Sequence, residues 1–511
     1  MARIAVIGAG MGAMAAAARL AVAGHRVAVY ERTGTYGGAV RRFERDGFGF
    51  DTGPGLLAVP AVYRDLFVKT GRQPLEECVE LVQVDPSARH VFADGSEVSL
   101  PNASRAGVVS ALDLALGAGA GQRWGDFLVR AREAWDRTRR PLLEEPLWAD
   151  WRVLAEREPY PAVPHKRLLR TRQAGTLAEI GAWELRDPRL TALLESHALG
   201  YGLDPRNTPA SAAVLPYMEH AFGTWYVRGG MRELARAVYE RCLDRRVEFV
   251  FEAEVRRILD KDGRAAGVEL ADGSLVEADH VVAGVAPERL SAMTGHELYG
   301  PDDLRPTTGP AAEAGAEAEA GAEVAPGRFT VFLALRGRPG PGAAHRTVVH
   351  APDRTAELDR LHRAGDEPVR PTVTVLRPDD PALRPDAEHE SVVLSAVSAP
   401  VAKGAEERFA DLLVEAAEQA VPGLRERLLW REVRAPGAGG EGTESGFGAL
   451  AAPALAAGAG RFLRPSNVTA LPGLYRVGGR SHPGGGLPHA GMSGALVAGL
   501  IVEGPDFRGS Q

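Results

Sequence analysis

The chain opens with Ile4-Ala5-Val6-Ile7-Gly8-Ala9-Gly10-Met11-Gly12-Ala13. An alanine-rich stretch then runs to Gly24, and Arg26-Val27-Ala28-Val29-Tyr30-Glu31 follows. An apolar run, a glycine turn, a small-residue helix, a second apolar run and a terminal acid form a dinucleotide-binding βαβ unit. Each residue type has a physical task. Gly8 permits the tight turn off the strand, and Gly10 lets the backbone approach a pyrophosphate. Ala13 stands where a third glycine is usual, and with Ala17 it is small enough for close helix–sheet packing. The helix start presents unpaired N–H groups and a positive dipole end to phosphates. Glu31 is placed to accept a hydrogen bond from a ribose hydroxyl.

Bulk composition sets the frame for this unit. At 511 residues the chain is too long for one core, so two or more domains are expected. Hydrophobic residues make up 45% and charged residues 25%, ordinary for a soluble globular protein. The net charge of −7 argues against a nucleic-acid partner. The two cysteines, Cys78 and Cys242, have neither metal-ligand spacing nor a disulfide framework, and no metal is expected. The expected setting is reducing cytoplasm. The first strand begins at residue 3 or 4, which leaves no room for a signal peptide. No window of 18 uninterrupted apolar residues suggests a transmembrane helix.

Farther along, residues 60–70 have a helical pattern, and a hairpin is expected around His90-Val91-Phe92, Asp94-Gly95, Val98 and Leu100. Residues 105–225 read as mostly helical. They hold Trp124, Trp135, Trp148, Trp151, Trp183 and Trp225, a clustering that suits a cap lining an apolar cavity, a membrane contact or a packed aromatic core. Tyr226-Val227-Arg228-Gly229-Gly230-Met231 leads into a helix through Cys242. Strands follow at 247–251 and 253–258, then a hairpin turning at Asp272-Gly273, then a buried strand at 278–283. Residues 309–326 are nearly all Ala, Glu and Gly and are expected to form a low-complexity loop. Strands at 329–335, 347–350, 372–376 and 392–397 predict a mixed or antiparallel second sheet. An amphipathic helix at 407–420 and a glycine-rich loop at 437–448 come next. The chain returns at its end to strand, glycine loop and helix: Leu474 to Val477, Gly478 to Pro488, and about 490–502.

That return points to a flavin. A nicotinamide enzyme completes its site within one half of such a domain, whereas FAD is long and needs a distant second element for its ring. Phe48-Gly49-Phe50-Asp51-Thr52-Gly53-Pro54 and Gly478-Gly479-Arg480-Ser481-His482-Pro483-Gly484-Gly485-Gly486-Leu487-Pro488 resemble paired signatures of the phytoene desaturase family. These are FAD-dependent carotenoid desaturases with an amine-oxidase-like architecture. Residues 226–231 and 278–282 resemble further landmarks of that family, in the same order.

The resemblance implies an α/β fold: a Rossmann-like FAD-binding domain with a second mixed-sheet substrate domain and a helical cap. The expected division assigns 1–74, 226–290 and 465–511 to FAD, and 75–225 and 291–464 to substrate. Gly8, Gly10, Met11, Gly12 and Ala13 would meet the pyrophosphate, and Glu31 and Arg32 the adenosine ribose. Gly37 and Gly38 would continue the phosphate path, Val255 would bond adenine, and Gly53, Pro54, Gly479, Leu487 and Pro488 would surround the flavin. Two positions depart from the family. Ala39 stands where arginine is common, with Arg41 or Arg42 as compensation. Arg480 stands where a small residue is common and brings charge beside the flavin.

The implied activity is desaturation of an apolar polyene, isoprenoid or related secondary metabolite. Alternatives are a flavin-dependent isomerase or saturase, a non-redox prenyl-lipid carrier, and an amine oxidase. His482 is the candidate for proton handling, since it lies in the C-terminal loop and titrates near neutrality. Asp51 reads as a turn cap rather than a base. Trp225 and Tyr226 are expected either at the ring pocket or in the core. The basic stretch Lys166 to Arg172 suits an exposed charged helix or a peripheral membrane contact.

Overall fold

The computed structural model describes residues 1–509 except 166–169, 296–297, 301–302, 305–323, 366–367, 403 and 437–447. Lys166 to Leu169 and nearly all of the stretches 309–326 and 437–448 therefore lie outside the described residues. At the edge of the first of these stretches Val324 is not on the surface but buried beside Ala364 and Ala399.

The strands Arg3–Ile7 and Arg26–Tyr30 form as the opening motif requires, joined by the helix Met11–Val22. They lie in a five-stranded parallel sheet. Its order is Glu248–Val250, Arg26–Tyr30, Arg3–Ile7, His280–Ala283 and Leu474–Arg476. Both faces are covered, as parallel sheets require. Ile4 and Val6 pack under the helices Met11–Val22, Met231–Asp244 and Leu487–Val502. Ala5 and Ile7 pack against the antiparallel strands Val255–Lys261, Arg264–Leu270 and Leu275–Glu277. The first and last helices touch closely. A Cβ on Gly494 would lie 2.5 Å from the Gly12 carbonyl oxygen, and one on Gly12 2.8 Å from that of Ala490.

A second, seven-stranded sheet runs in the order Leu428–Arg434, Gly327–Arg336, His389–Ser398, Val373–Leu376, Arg346–Val349, Ala88–Val91 and Glu97–Leu100. It is antiparallel except where Arg346–Val349 meets Ala88–Val91. The four expected strands are present. The hairpin around Asp94-Gly95 joins their edge, and Leu428–Arg434 adds a strand that the sequence reading lacked. One face packs Phe329, Val331, Leu333, Val373, Val375, Val392 and Leu394 on the helix Glu406–Ala417.

Opposite the other face stands the helical cap, chiefly Arg105–Leu116, Ala120–Arg139, Pro188–Leu199 and Val214–Phe222. Ser104 and Asp187 cap two of these helices by accepting from the Gly107 and Arg189 N–H groups. Trp124 and Trp135 are buried in the cap's own core, and Trp183 packs against it. Trp148 is exposed and bonds Glu145.

Candidate active site

A cavity of about 1260 Å³ runs from the turn after the first strand to the space between the seven-stranded sheet and the helical cap. At the turn, Gly8 takes φ +87° and donates to the Tyr30 carbonyl at 2.8 Å. Glu31 accepts from Ala9 N–H at 2.8 Å, from Thr33 N–H at 2.9 Å and from the Thr33 hydroxyl at 2.8 Å, so the acid is fixed beside the turn. Gly10 caps the first helix with no side-chain bond, and the first turn carries no acidic residue. Its N–H groups therefore face the cavity with no carboxylate competing for them. The last helix starts in the same way: Gly486 caps it at φ +89°, Pro488 occupies its first turn, and no acid follows.

The space beside these two helix starts fits FAD. A Cβ placed on Gly10 or on Gly478 would meet no protein atom within 4 Å, so both glycines open onto unfilled room. Gly38, by contrast, is held against Gly10, where a Cβ would lie 3.0 Å from the Gly10 Cα. Gly8, Gly10, Met11, Gly12, Ala13, Glu31, Arg32, Gly37, Gly38, Gly53, Pro54, Val255, Gly479, Arg480, Leu487 and Pro488 all line this one cavity. The arginine missing at position 39 is replaced by Arg41. Its guanidinium donates to the Gly38 carbonyl at 2.9 Å and the Thr33 hydroxyl at 3.0 Å, and Arg41 lines the cavity. Arg42 turns away to the Ala382 carbonyl and Glu44. Arg480 reaches outward to Glu288 at 3.5 Å.

The structure corrects the expectation for His482. The side chain is fully buried, is not among the residues on the cavity wall, and its Nε2 lies 2.9 Å from the Glu145 carbonyl. Burial lowers it to about 4, against the opposing pull of that carbonyl. It is a structural imidazole behind the loop. His489, which the sequence reading passed over, does line the cavity, beside Gly486. Burial, with His482 adding, lowers it to about 4, so it is neutral at ordinary pH. None of the six tryptophans lines the cavity: Trp124, Trp135 and Trp183 pack the cap core, Trp151 and Trp225 pack against separate apolar clusters, and Trp148 is exposed.

Asp51 is a cap, as expected, but of a distant helix: the Met231 N–H donates to both its oxygens at 2.9 Å. Burial pushes its carboxyl up to about 6, against hydrogen bonds from Met231 and Arg232 N–H and the charge of Arg42. Gly230 must be small here, since a Cβ at its φ of +90° would lie 2.9 Å from Asp51. Tyr226 lines the cavity and donates to Asp380 at 2.7 Å.

The far half of the cavity is walled by side chains. From the cap come His197, Tyr201, Leu215, Met218 and Glu219. From the sheet come His90, Arg328, Thr330, Arg346, Thr374 and Ser395. Arg346 pairs with Glu219 through both guanidinium nitrogens, one at 3.1 Å, and ties sheet to cap. Burial favours the neutral Glu219 carboxyl, but Arg346 and His197 overcome it and hold the group at about 2. Glu357 behaves oppositely. Burial pushes it up to about 7, although Thr372 donates to both its oxygens.

Comparison with known proteins agrees with this geometry. Residues 14–502 match the family model of flavin containing amine oxidoreductases. The chain is 28% identical to 4,4'-diapolycopene oxygenase from a Methylomonas species, over 98% of both chains. It is 30% identical to hydroxyneurosporene desaturase from Cereibacter sphaeroides, over 98% of this chain and 97% of the relative. The crystal structure of an oxidoreductase from Methanosarcina mazei shares the fold, with a TM-score of 0.62 at 17% identity, over 97% of this chain and 99% of that one.

Proposed function

The chain belongs to the flavin containing amine oxidoreductase family, and we propose that it introduces C=C bonds into an apolar polyene or isoprenoid. It is an FAD-dependent oxidoreductase acting on CH–CH groups. The observation that carries the substrate reading is the continuity of the cavity, which passes unbroken from the glycine cradle into a chamber between sheet and cap. Bound FAD supplies the acceptor for a hydride leaving carbon.

The chain's own residues do the rest. The first helix and Arg41 would hold the phosphates, and Gly53, Pro54, Leu487 and Pro488 would flank the ring. Leu199, Leu215 and Met218 keep the chamber dry along the cap. The second hydrogen leaves as a proton. His489, neutral beside Gly486, has a ring nitrogen placed to accept it. A conjugated substrate delocalises charge in its own π-system, so no strong base is required.

Amine oxidation is disfavoured by the far half of the chamber. Its Glu219 carboxylate is already neutralised by Arg346, and Glu357 is driven toward its neutral form, so among the described residues no acid there is ready for an ammonium group. The domain division that accompanies this reading gives 1–74, 226–290 and 465–511 to FAD and the remainder to substrate. All five parallel strands fall in the first set, and all seven strands of the larger sheet in the second. No helix among the described residues is long and apolar enough to cross a membrane. A peripheral contact near the basic strand Arg170–Arg172, exposed along most of its length, would serve capture of an apolar substrate.

The test is turnover of FAD-loaded protein with a conjugated polyene and an artificial electron acceptor. A red-shifted chromophore and loss of two hydrogens per new bond are expected. Oxidation of an amine with the polyene untouched would overturn the reading.

A further inference from the structure

The wall of the chamber is a sheet face that should be apolar if the substrate were a plain hydrocarbon, and it is not. Thr330 lies directly opposite Ser395 across one strand pair, and Ser395 lies opposite Thr374 across the next. Their neighbours Phe329, Val331, Leu394, Val373 and Val375 point the other way, into the core over the helix Glu406–Ala417. The three hydroxyls thus form a row across three adjacent strands, spanning about 10 Å at normal strand spacing. All three residues line the cavity, and none of the hydroxyls has a hydrogen bond to a described residue.

Beside this row, two positions along the strand from Thr330, stands Arg328. Of the two arginines on the sheet wall, Arg346 is neutralised by Glu219. Arg328 has no carboxylate partner among the described residues. Among the described residues its guanidinium makes a single hydrogen bond, to the Gly200 carbonyl at 2.9 Å. Most of its five N–H donors therefore have no partner among the described residues. Burial lowers it from the usual arginine range, and only the nearby Tyr201 phenol opposes that. Tyr201 also lines the cavity. Its main chain is fixed: Arg328 N–H donates to the Gly448 carbonyl at 2.7 Å. A cation enclosed on a ligand-facing wall, without an acid and beside unpaired hydroxyls, is costly unless a ligand supplies the missing acceptors.

We propose that the substrate carries a carboxylate at one end, seated on Arg328 and the Thr330–Ser395–Thr374 row, so that the enzyme acts on a polyene acid rather than a neutral hydrocarbon. This rests on the polyene reading above and narrows it. The planar fork of arginine suits a carboxylate, and the hydroxyl row supplies further donors to its oxygens. The apolar remainder of the chain then extends along the chamber toward the C-terminal helix.

Equilibrium binding tests this without turnover. Parinaric acid, a conjugated tetraene acid whose fluorescence rises on binding, is titrated into the FAD-loaded protein and compared with its methyl ester. The acid should bind at least about tenfold more tightly than the ester, the scale of a charged hydrogen bond. Arg328→Met should bring the two within about twofold, and Arg328→Lys should keep part of the preference. Flavin content and thermal melting report whether each variant is folded. Thr330→Val with Ser395→Ala leaves the arginine in place and should weaken the acid but not the ester. Equal binding of acid and ester by the unaltered protein, or a preference that survives Arg328→Met, would overturn the carboxylate while leaving the polyene reading standing. Failure of both to bind would overturn both.

Discussion

The two halves of the cavity are built from different materials. The cofactor half is made mainly of backbone: glycines at 8, 10, 12, 37, 38, 478 and 486, two helix starts, and few side chains of special chemistry. The substrate half is made of side chains from strands and helices far apart in sequence: Arg328, Thr330, Arg346 and Ser395 against His197, Tyr201 and Glu219. A backbone site recognises a constant ligand and tolerates little change. A side-chain site can be rewritten one residue at a time while the fold persists. Cofactor and reaction type therefore follow from one half of the molecule, and substrate identity from the other.

This contrast breaks if the cradle tolerates bulk. Gly10 has room for a side chain only in the cavity itself. Gly10→Val should therefore leave the apoprotein folded with an unchanged melting curve and yet cut flavin retention at least about tenfold, read as the ratio of flavin to protein absorbance. Full flavin content in that variant would show that the cradle is not where the cofactor lies. Next in size is the clamp between the halves. Glu219→Gln leaves Arg346 without its counter-charge and should cost about 3–5 kcal/mol in denaturant unfolding. A loss near zero would mean that the pair does not join sheet to cap.

Asp51 gives a smaller, pH-dependent effect. Its folded value near 6 lies above the ordinary 3.8, so the folded state holds a proton that the unfolded chain releases. Stability from this group is greatest below about pH 4 and declines as pH rises toward 6, by about 1–3 kcal/mol. Asp51→Asn should flatten that decline, and parallel pH–stability curves would contradict the assignment. The smallest effect is at Arg480, whose ion pair with Glu288 is half in solvent on both sides. Arg480→Ala should change stability by less than about 0.5 kcal/mol and leave flavin content unaltered.

The same contrast explains what the sequence revealed. The cofactor half was legible because its function depends on glycines, which leave a local signature wherever backbone must come close. Every residue assigned to the cofactor from sequence lines the cavity. The substrate half was not legible, because a strand that alternates Arg328, Thr330 and Phe332 with Phe329, Val331 and Leu333 resembles one with a solvent-facing side. Only the sheet partners and the cap show that its polar side faces an enclosed chamber. The cluster of tryptophans left its role open for a related reason. Aromatic density does not say what is buried, and here the packed-core alternative holds for Trp124, Trp135 and Trp183 in the cap, while Trp148 stays exposed. His482 sits in a loop whose neighbours approach the cofactor, yet its side chain turns back to the Glu145 carbonyl, an orientation that spacing does not encode. Of the two arginines read as compensating for Ala39, only Arg41 takes that path, since a two-residue shift in a loop can return a long side chain to the same place.

The central claim is that the cradle and the chamber are one reaction space, in which a polyene C–H bond meets the bound flavin. Anaerobic mixing of FAD-loaded protein with a polyene acid, in the absence of any other acceptor, tests it most directly. Bleaching of the oxidised flavin band should proceed with one C=C bond formed per flavin reduced. Persistence of the oxidised band with the polyene bound, or a new double bond formed while the flavin stays oxidised, would contradict it.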